Sequence, residues 1–186
     1  MKPTRILLKM ILPLAFCLPA VSSGDQSDQR LVQLFETLQT SQDESVLLET
    51  ESAIWEIWYD SGEEVVDQMM LEAAELVTMG DLAAAEAIYS EVIAALPEFS
   101  EGWNRRATVR YYQRDYDGSL ADIRETLRLE PRHFGAIWGL GMILGRQRDF
   151  EHAILAFERL LEIKPNARDA APRIELLKQE LAKESV

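Results

Sequence analysis

Histidine and cysteine, the side chains best suited to metal binding or to proton transfer near neutral pH, occur three times in this chain of 186 residues: Cys17, His133 and His152. That number is too small for a multi-cysteine zinc site, a disulfide framework or a histidine-rich metal centre. His133 follows Pro131 and His152 stands beside Ala153, and neither has a second His or Cys at ligand spacing. Both read as structural or solvated side chains. Gly139 and Gly141 lie in an apolar helical stretch and do not form a phosphate-binding loop. No strained Ser or Cys nucleophile motif is present. Acid pairs such as Glu63-Glu64 carry no specific signal in a chain with 32 acids against 19 bases. No catalytic residue, cofactor-binding residue or metal ligand is assigned, no cofactor is expected, and the chain reads as a non-enzyme.

Chemistry therefore gives way to position, and position is set by a repeat. Pro97, Pro131 and Pro165 are each 34 residues after the last. In the same phase lie Gly80-Asp81-Leu82, Arg114-Asp115-Tyr116 and Arg148-Asp149-Phe150. Small residues Ala85, Ser119 and Ala153 follow, then Tyr89, Ile123 and Phe157. Ala73, Ala107 and Gly141 sit near the start of each unit. A period of this length marks stacked units, because one unit cannot bury its own apolar face. Each reads as two helices: in the third, Phe134 to Gln147 and then Asp149 to about Ile163. Ala or Gly at a helix crossing lets the axes approach, and proline after the second helix stops it.

The pattern resembles the tetratricopeptide repeat (TPR) superfamily. Leu140-Gly141, Leu144, Ala153, Phe157 and Pro165 sit where that motif expects them. The second unit keeps Trp103, Ala107, Ser119 and Pro131 but has Arg106 in place of the usual Leu. The first keeps Ala73, Leu76, Ala85, Tyr89 and Pro97 but has Met69 in place of Trp. The chain is also similar to exported bacterial TPR proteins that carry the string Glu101-Gly-Trp-Asn-Arg-Arg-Ala-Thr108 and then Glu130-Pro-Arg-His-Phe-Gly-Ala136. The resemblance implies an all-α, right-handed superhelical solenoid of helical hairpins, with units at about 66–99, 100–133 and 134–167. The TPR domain is then 63–186, closed by an amphipathic capping helix over 168–183. Residues 24–62 form an N-terminal helix pair, a cap or a degenerate repeat, in which Trp55 and Trp58 read as packing groups.

The resemblance also implies a concave groove that binds a protein or peptide. By repeat phase its lining includes Met70, Val77, Asn104, Thr108, Tyr111, Tyr112, Trp138, Met142 and Arg146. Some relatives clamp a partner's C-terminal carboxylate with Lys, Arg and Asn. Met70, Ala74, Arg105, Gly135 and Gly139 stand at the corresponding places, so only Arg105 survives and that clamp is not expected. The alternative is a groove filled by the N-terminal helices through Leu34, Phe35 and Leu38, which would make Tyr111, Tyr112 and Trp138 core residues of a structural or self-associating module. A third reading is a non-catalytic subunit of an envelope enzyme complex.

Two features of charge complete the picture. Residues 25–102 carry 19 acids and a single base, Arg30, a net charge of −18. The formal charge of the whole chain, −13, argues against nucleic acid as the main partner, and none is expected. Arg106 at an apolar repeat position must find a carboxylate, Glu101 or Asp122, or else snorkel to water. Arg124, Arg128 and Arg132 form an i, i+4, i+8 line that reads as a solvated face or as a docking stripe for the acidic half of another copy, which would allow a homo-oligomer. Lys2, Arg5 and Lys9 precede an apolar run from Met10 to Val21 and then small residues. This is the plan of a secretory signal peptide over 1–23. The run is shorter than a spanning helix requires. The expectation is cleavage, no stable membrane insertion, and secretion to the bacterial periplasm.

Overall fold

The computed structural model describes residues 25–184; the segment read as a signal peptide lies outside the described residues. They form helices and connecting turns, in the order α1 (Arg30–Thr40), α2 (Glu44–Tyr59), α3 (Glu64–Met79), α4 (Leu82–Ala95), α5 (Ser100–Gln113), α6 (Tyr116–Leu129), α7 (Phe134–Arg146), α8 (Phe150–Ile163) and α9 (Ala170–Glu184).

The repeated turn has a definite mechanism. Gly80, Arg114 and Arg148, one period apart, have left-handed φ of 83°, 68° and 64°. Each is followed by an Asp whose side chain accepts from the backbone N–H three residues on, at Ala84, Gly118 and His152. A left-handed residue closes the first helix and an aspartate N-cap opens the second. The arginines occupy a conformation that costs a non-glycine residue about 1 kcal/mol, and the turn is kept nonetheless.

Within each hairpin the small positions are the crossing points. Ala73, Ala85 and Ala153 are fully buried, and Ala107 nearly so. A Cβ on Gly141 would meet the Phe157 ring at 2.7 Å, so the α7–α8 crossing requires glycine there. Arg106 has a carboxylate partner, Asp122: its Nε and Nη2 donate at 2.9 and 2.8 Å, and its Nη1 donates to Ser90 Oγ at 3.1 Å. Arg110 adds bonds to the same Asp122 and to Glu86. A partly buried charged layer centred on Asp122 thus joins the first two units.

The N-terminal pair does not extend the stack. Helix α1 runs along the edge formed by the inter-repeat turns. Gln26 bonds Glu98 O and Ser100 N at the first turn. The Arg132 guanidinium lies 4.3 Å from the Phe35 ring at the second. Gln39 Nε2 donates to Glu162 O just before the third. Helix α2 returns across the concave side, with Glu44 paired to Arg168 and Glu51 to Lys164. Trp55 meets Phe134 edge-on at 5.1 Å, and Tyr59 lies under Arg105. Leu31, Ile54 and Trp58 are completely buried. Each such burial stabilises by roughly 1.5–3 kcal/mol. At the other end α9 packs on α8, with Ile174 and Leu177 buried.

Candidate functional site

The groove is divided into two parts. Its lower part, at the N-terminal ends of α5 and α7, is occupied by α2 over a buried polar hub. Glu101 sits in the first turn of α5, where the helix field favours an anion. It is fully buried and accepts three bonds: Oε2 from Asn104 Nδ2 and His133 Nε2, both at 2.9 Å, and Oε1 from Arg105 Nε at 2.6 Å. His133 Nδ1 accepts from Ala136 N–H at 3.1 Å, capping α7. With Nδ1 accepting from the backbone, Nε2 is the nitrogen that donates to Glu101. Trp58 stacks on that ring at 4.2 Å and 10°.

Burial pushes the Glu101 carboxyl above its ordinary range, although the bonds from His133 and Asn104 oppose this. Burial also lowers Arg105 to about 10. A buried carboxylate surrounded by donors resembles a catalytic group, but Trp55 and Trp58 pack on its partner His133 and Tyr59 on its partner Arg105. Its partners cap a helix and neutralise its charge. His152, by contrast, is exposed and pairs with its own helix cap, Asp149, at 2.7 Å. Among the described residues no group of three or more His, Cys, Asp or Glu is placed to hold a metal ion.

The upper part of the groove is open. Asn104, Thr108, Tyr111, Tyr112, Trp138 and Met142 line one pocket of about 190 Å³ between α5 and α7, floored by Ser119, Ile123 and Ile143. Arg146 is at its rim, where Nε donates to Tyr111 Oη at 2.8 Å and the guanidinium lies over the Tyr111 ring. Tyr112 is 58% exposed. Met70 and Val77, grouped with these by repeat phase, lie elsewhere. Met70 is buried in the core of the first unit and Val77 packs beside it. Helix α2 enters below Tyr111 and Tyr112, so these two are not covered by the N-terminal pair. Trp138 is half-buried against Phe157.

Two of the three arginines in the line, Arg128 and Arg132, are paired within the chain. Arg128 pairs with Glu125 and, at 3.7 Å, with Glu98; Arg132 makes two bonds to Glu130.

Residues 104–168 match the family model for the tetratricopeptide repeat. A tetratricopeptide repeat-containing protein of Rhizobium etli is 33% identical over 192 residues, covering 95% of this chain and 94% of the relative. The chain belongs to the tetratricopeptide repeat family. Domains of this family generally mediate protein–protein or peptide binding.

Solved TPR structures agree in fold. The first TPR domain of Spaghetti (RPAP3), bound to an HSP90 peptide, superimposes with a TM-score of 0.61 at 20% identity, covering 63% of this chain and 93% of that one. The Sgt2 TPR domain from Aspergillus fumigatus gives 0.62 at 16%, covering 66% and 83%. The TPR2B domain of yeast Sti1, in complex with pHsp70, gives 0.58 at 18%, covering 62% and 97%. Arg105, the one residue expected to survive from a carboxylate clamp, is paired in this TPR chain with Glu101 and lies against the Tyr59 ring.

Proposed function

We propose that this protein is a non-catalytic binding scaffold of the bacterial envelope, holding a partner protein or peptide by an apolar side chain seated between α5 and α7. The open pocket carries the reading. Its aromatic and methionine walls suit an apolar anchor, and Met adapts to varied shapes. At about 190 Å³ it is smaller than the roughly 300–1,000 Å³ of drug-sized ligand sites. It fits one side chain and not a bound cofactor. Asn104 and Thr108 supply polar groups at its edge. The basic, apolar and then small residues of the N-terminus support export to the periplasm.

Affinity capture from envelope extract tests this. The baits are the wild-type chain and Tyr112→Ala, chosen because Tyr112 is exposed. A protein retained by the first and lost from the second identifies the partner. Identical retention by both folded baits removes the pocket as the site. A peptide ending in an acidic tail is expected not to bind, because the one clamp residue is already paired. A dissociation constant below about 10 μM, about 7 kcal/mol of binding free energy, overturns that.

The insertion of α2 favours a second reading, a structural module whose groove is closed by its own helices. It differs by requiring that Tyr112→Ala change no interaction at all.

A further inference from the structure

The entry of α2 into the groove creates a surface that three repeats alone would not have. The C-terminal turn of α2 stands beside α3 and leaves an open cleft of about 570 Å³ between them, quite separate from the α5–α7 pocket. Its walls are apolar: Tyr59 from α2, Met70, Leu71 and Ala74 from α3, with Tyr89 as floor. Leu71 is 67% exposed and Tyr59 41%. A leucine on a groove-facing helix surface without cover is the kind of apolar group a partner buries.

The rim is of one sign. Glu56, Asp60 and Asp67 line the same cleft. Among the described residues, none of the three has a Lys or Arg nitrogen within ion-pair distance. Asp67 accepts from Ser61 N and Oγ, and Asp60 from Gly62 N, which hold the carboxylates in place without neutralising them. Arg30 feels the charge of Asp60 but is bonded to Asp28. The single cation in the wall, Arg105, is neutralised by Glu101 beneath it. The cleft therefore has an apolar centre inside an uncompensated acidic edge.

We infer that this cleft docks a basic amphipathic segment of a partner protein. An apolar side chain of that segment packs on Leu71, Ala74 and Tyr59, and Lys or Arg side chains on either side of it reach Glu56, Asp60 and Asp67. Acidic segments and anionic lipid surfaces are repelled by the same edge. The inference stands apart from the α5–α7 pocket, since the two sites share no residue.

The test uses three labelled synthetic helical peptides, titrated against the purified protein by fluorescence anisotropy. One places Leu and Lys on opposite faces, one Leu and Glu, and one Ser and Lys. The Leu/Lys peptide is expected to bind at least tenfold more tightly than either of the others, and less tightly as salt rises. Leu71→Gln, at an exposed site where the fold is indifferent to the change, is expected to weaken that binding about tenfold. The double variant Glu56→Gln, Asp60→Asn is expected to weaken it and to flatten its salt dependence. Tyr112→Ala is expected to leave it unchanged, which separates this site from the pocket above. Equal binding of the Ser/Lys peptide would reduce the effect to general attraction for an acidic chain and overturn the inference. So would full affinity in Leu71→Gln, or loss of binding in Tyr112→Ala.

Discussion

The lower and upper parts of the groove are built from the same helices, α5 and α7, yet one is closed and the other open. The difference lies in what the third unit presents. At the lower end Gly135 faces Trp55, and a Cβ there would come within 2.9 Å of the indole. Absence of a side chain on α7 makes room for an aromatic from α2. At the upper end, among the described residues, Gly139 faces only Ile123 Cδ1, at 3.4 Å, and no helix enters. The N-terminal pair thus ends as a groove filler where glycine and the Glu101–His133 hub receive it, and stops short of Tyr111 and Tyr112. A family groove can be partly core and partly surface, and the boundary is drawn by single residues.

The sharpest way to break this contrast is Trp58→Ala. Removing a fully buried indole is expected to cost about 3–5 kcal/mol in urea or thermal unfolding. A loss under about 1 kcal/mol would mean that α2 merely rests in the groove. The glycine pair comes next. Gly135→Ala must displace a rigid ring and is expected to destabilise by about 1–3 kcal/mol. In Gly139→Ala the contact is a flexible methyl, and the gain in helix propensity, up to about 1 kcal/mol, offsets the crowding. Equal effects would erase the distinction between the two ends.

Glu101→Gln reads the hub as a slope. Burial raises the carboxyl above its ordinary value of 4.5, so the folded state holds its proton more tightly than the unfolded one. Its contribution is then greatest at low pH and declines as pH rises from there through the folded value. The wild-type-minus-variant difference in unfolding free energy should fall as pH is raised above 4.5; a rising difference would reverse the assignment of burial as the main cause. Smallest is Tyr112→Ala, expected to change stability by no more than about 0.5 kcal/mol. A larger loss would place Tyr112 in the core and close the upper pocket as a site.

The repeat units were legible because each carries its own punctuation. The Gly or Arg followed by Asp recurs at Gly80, Arg114 and Arg148, and the local backbone reads it the same way each time. The need of Arg106 for an acid was legible too, since a charge at a helix-packing position has few solutions, and Asp122 is one helix away. The destination of α2 was not. Amphipathicity says that a helix must bury a face, never against what, and His133 and Phe134, which receive Trp55 and Trp58, lie more than 70 residues downstream. The hub was missed for the same reason: Glu101 and His133 are 32 residues apart. One signal was present. Gly135, on the groove face of α7, is unusual for a packed helix and implies that something approaches. Separation of Met70 and Val77 from the other groove residues follows from the first unit, whose exposed face is given over to the α2–α3 cleft.

The N-terminal pair has a mechanical consequence. An ordinary solenoid behaves as a spring, because each unit touches only its neighbours and the ends move independently. Here one strap is fastened at Glu98 near the start of the stack and at Glu162 and Arg168 near its end, across sequence separations of 72 to 124 residues. The spring is tied at both ends. Elasticity is given up for a fixed curvature, and the strap, although made first, can be fastened only when the last repeat exists. Local contacts suffice within the repeats, whereas this closure must bring together residues far apart in sequence, the kind of contact that slows folding.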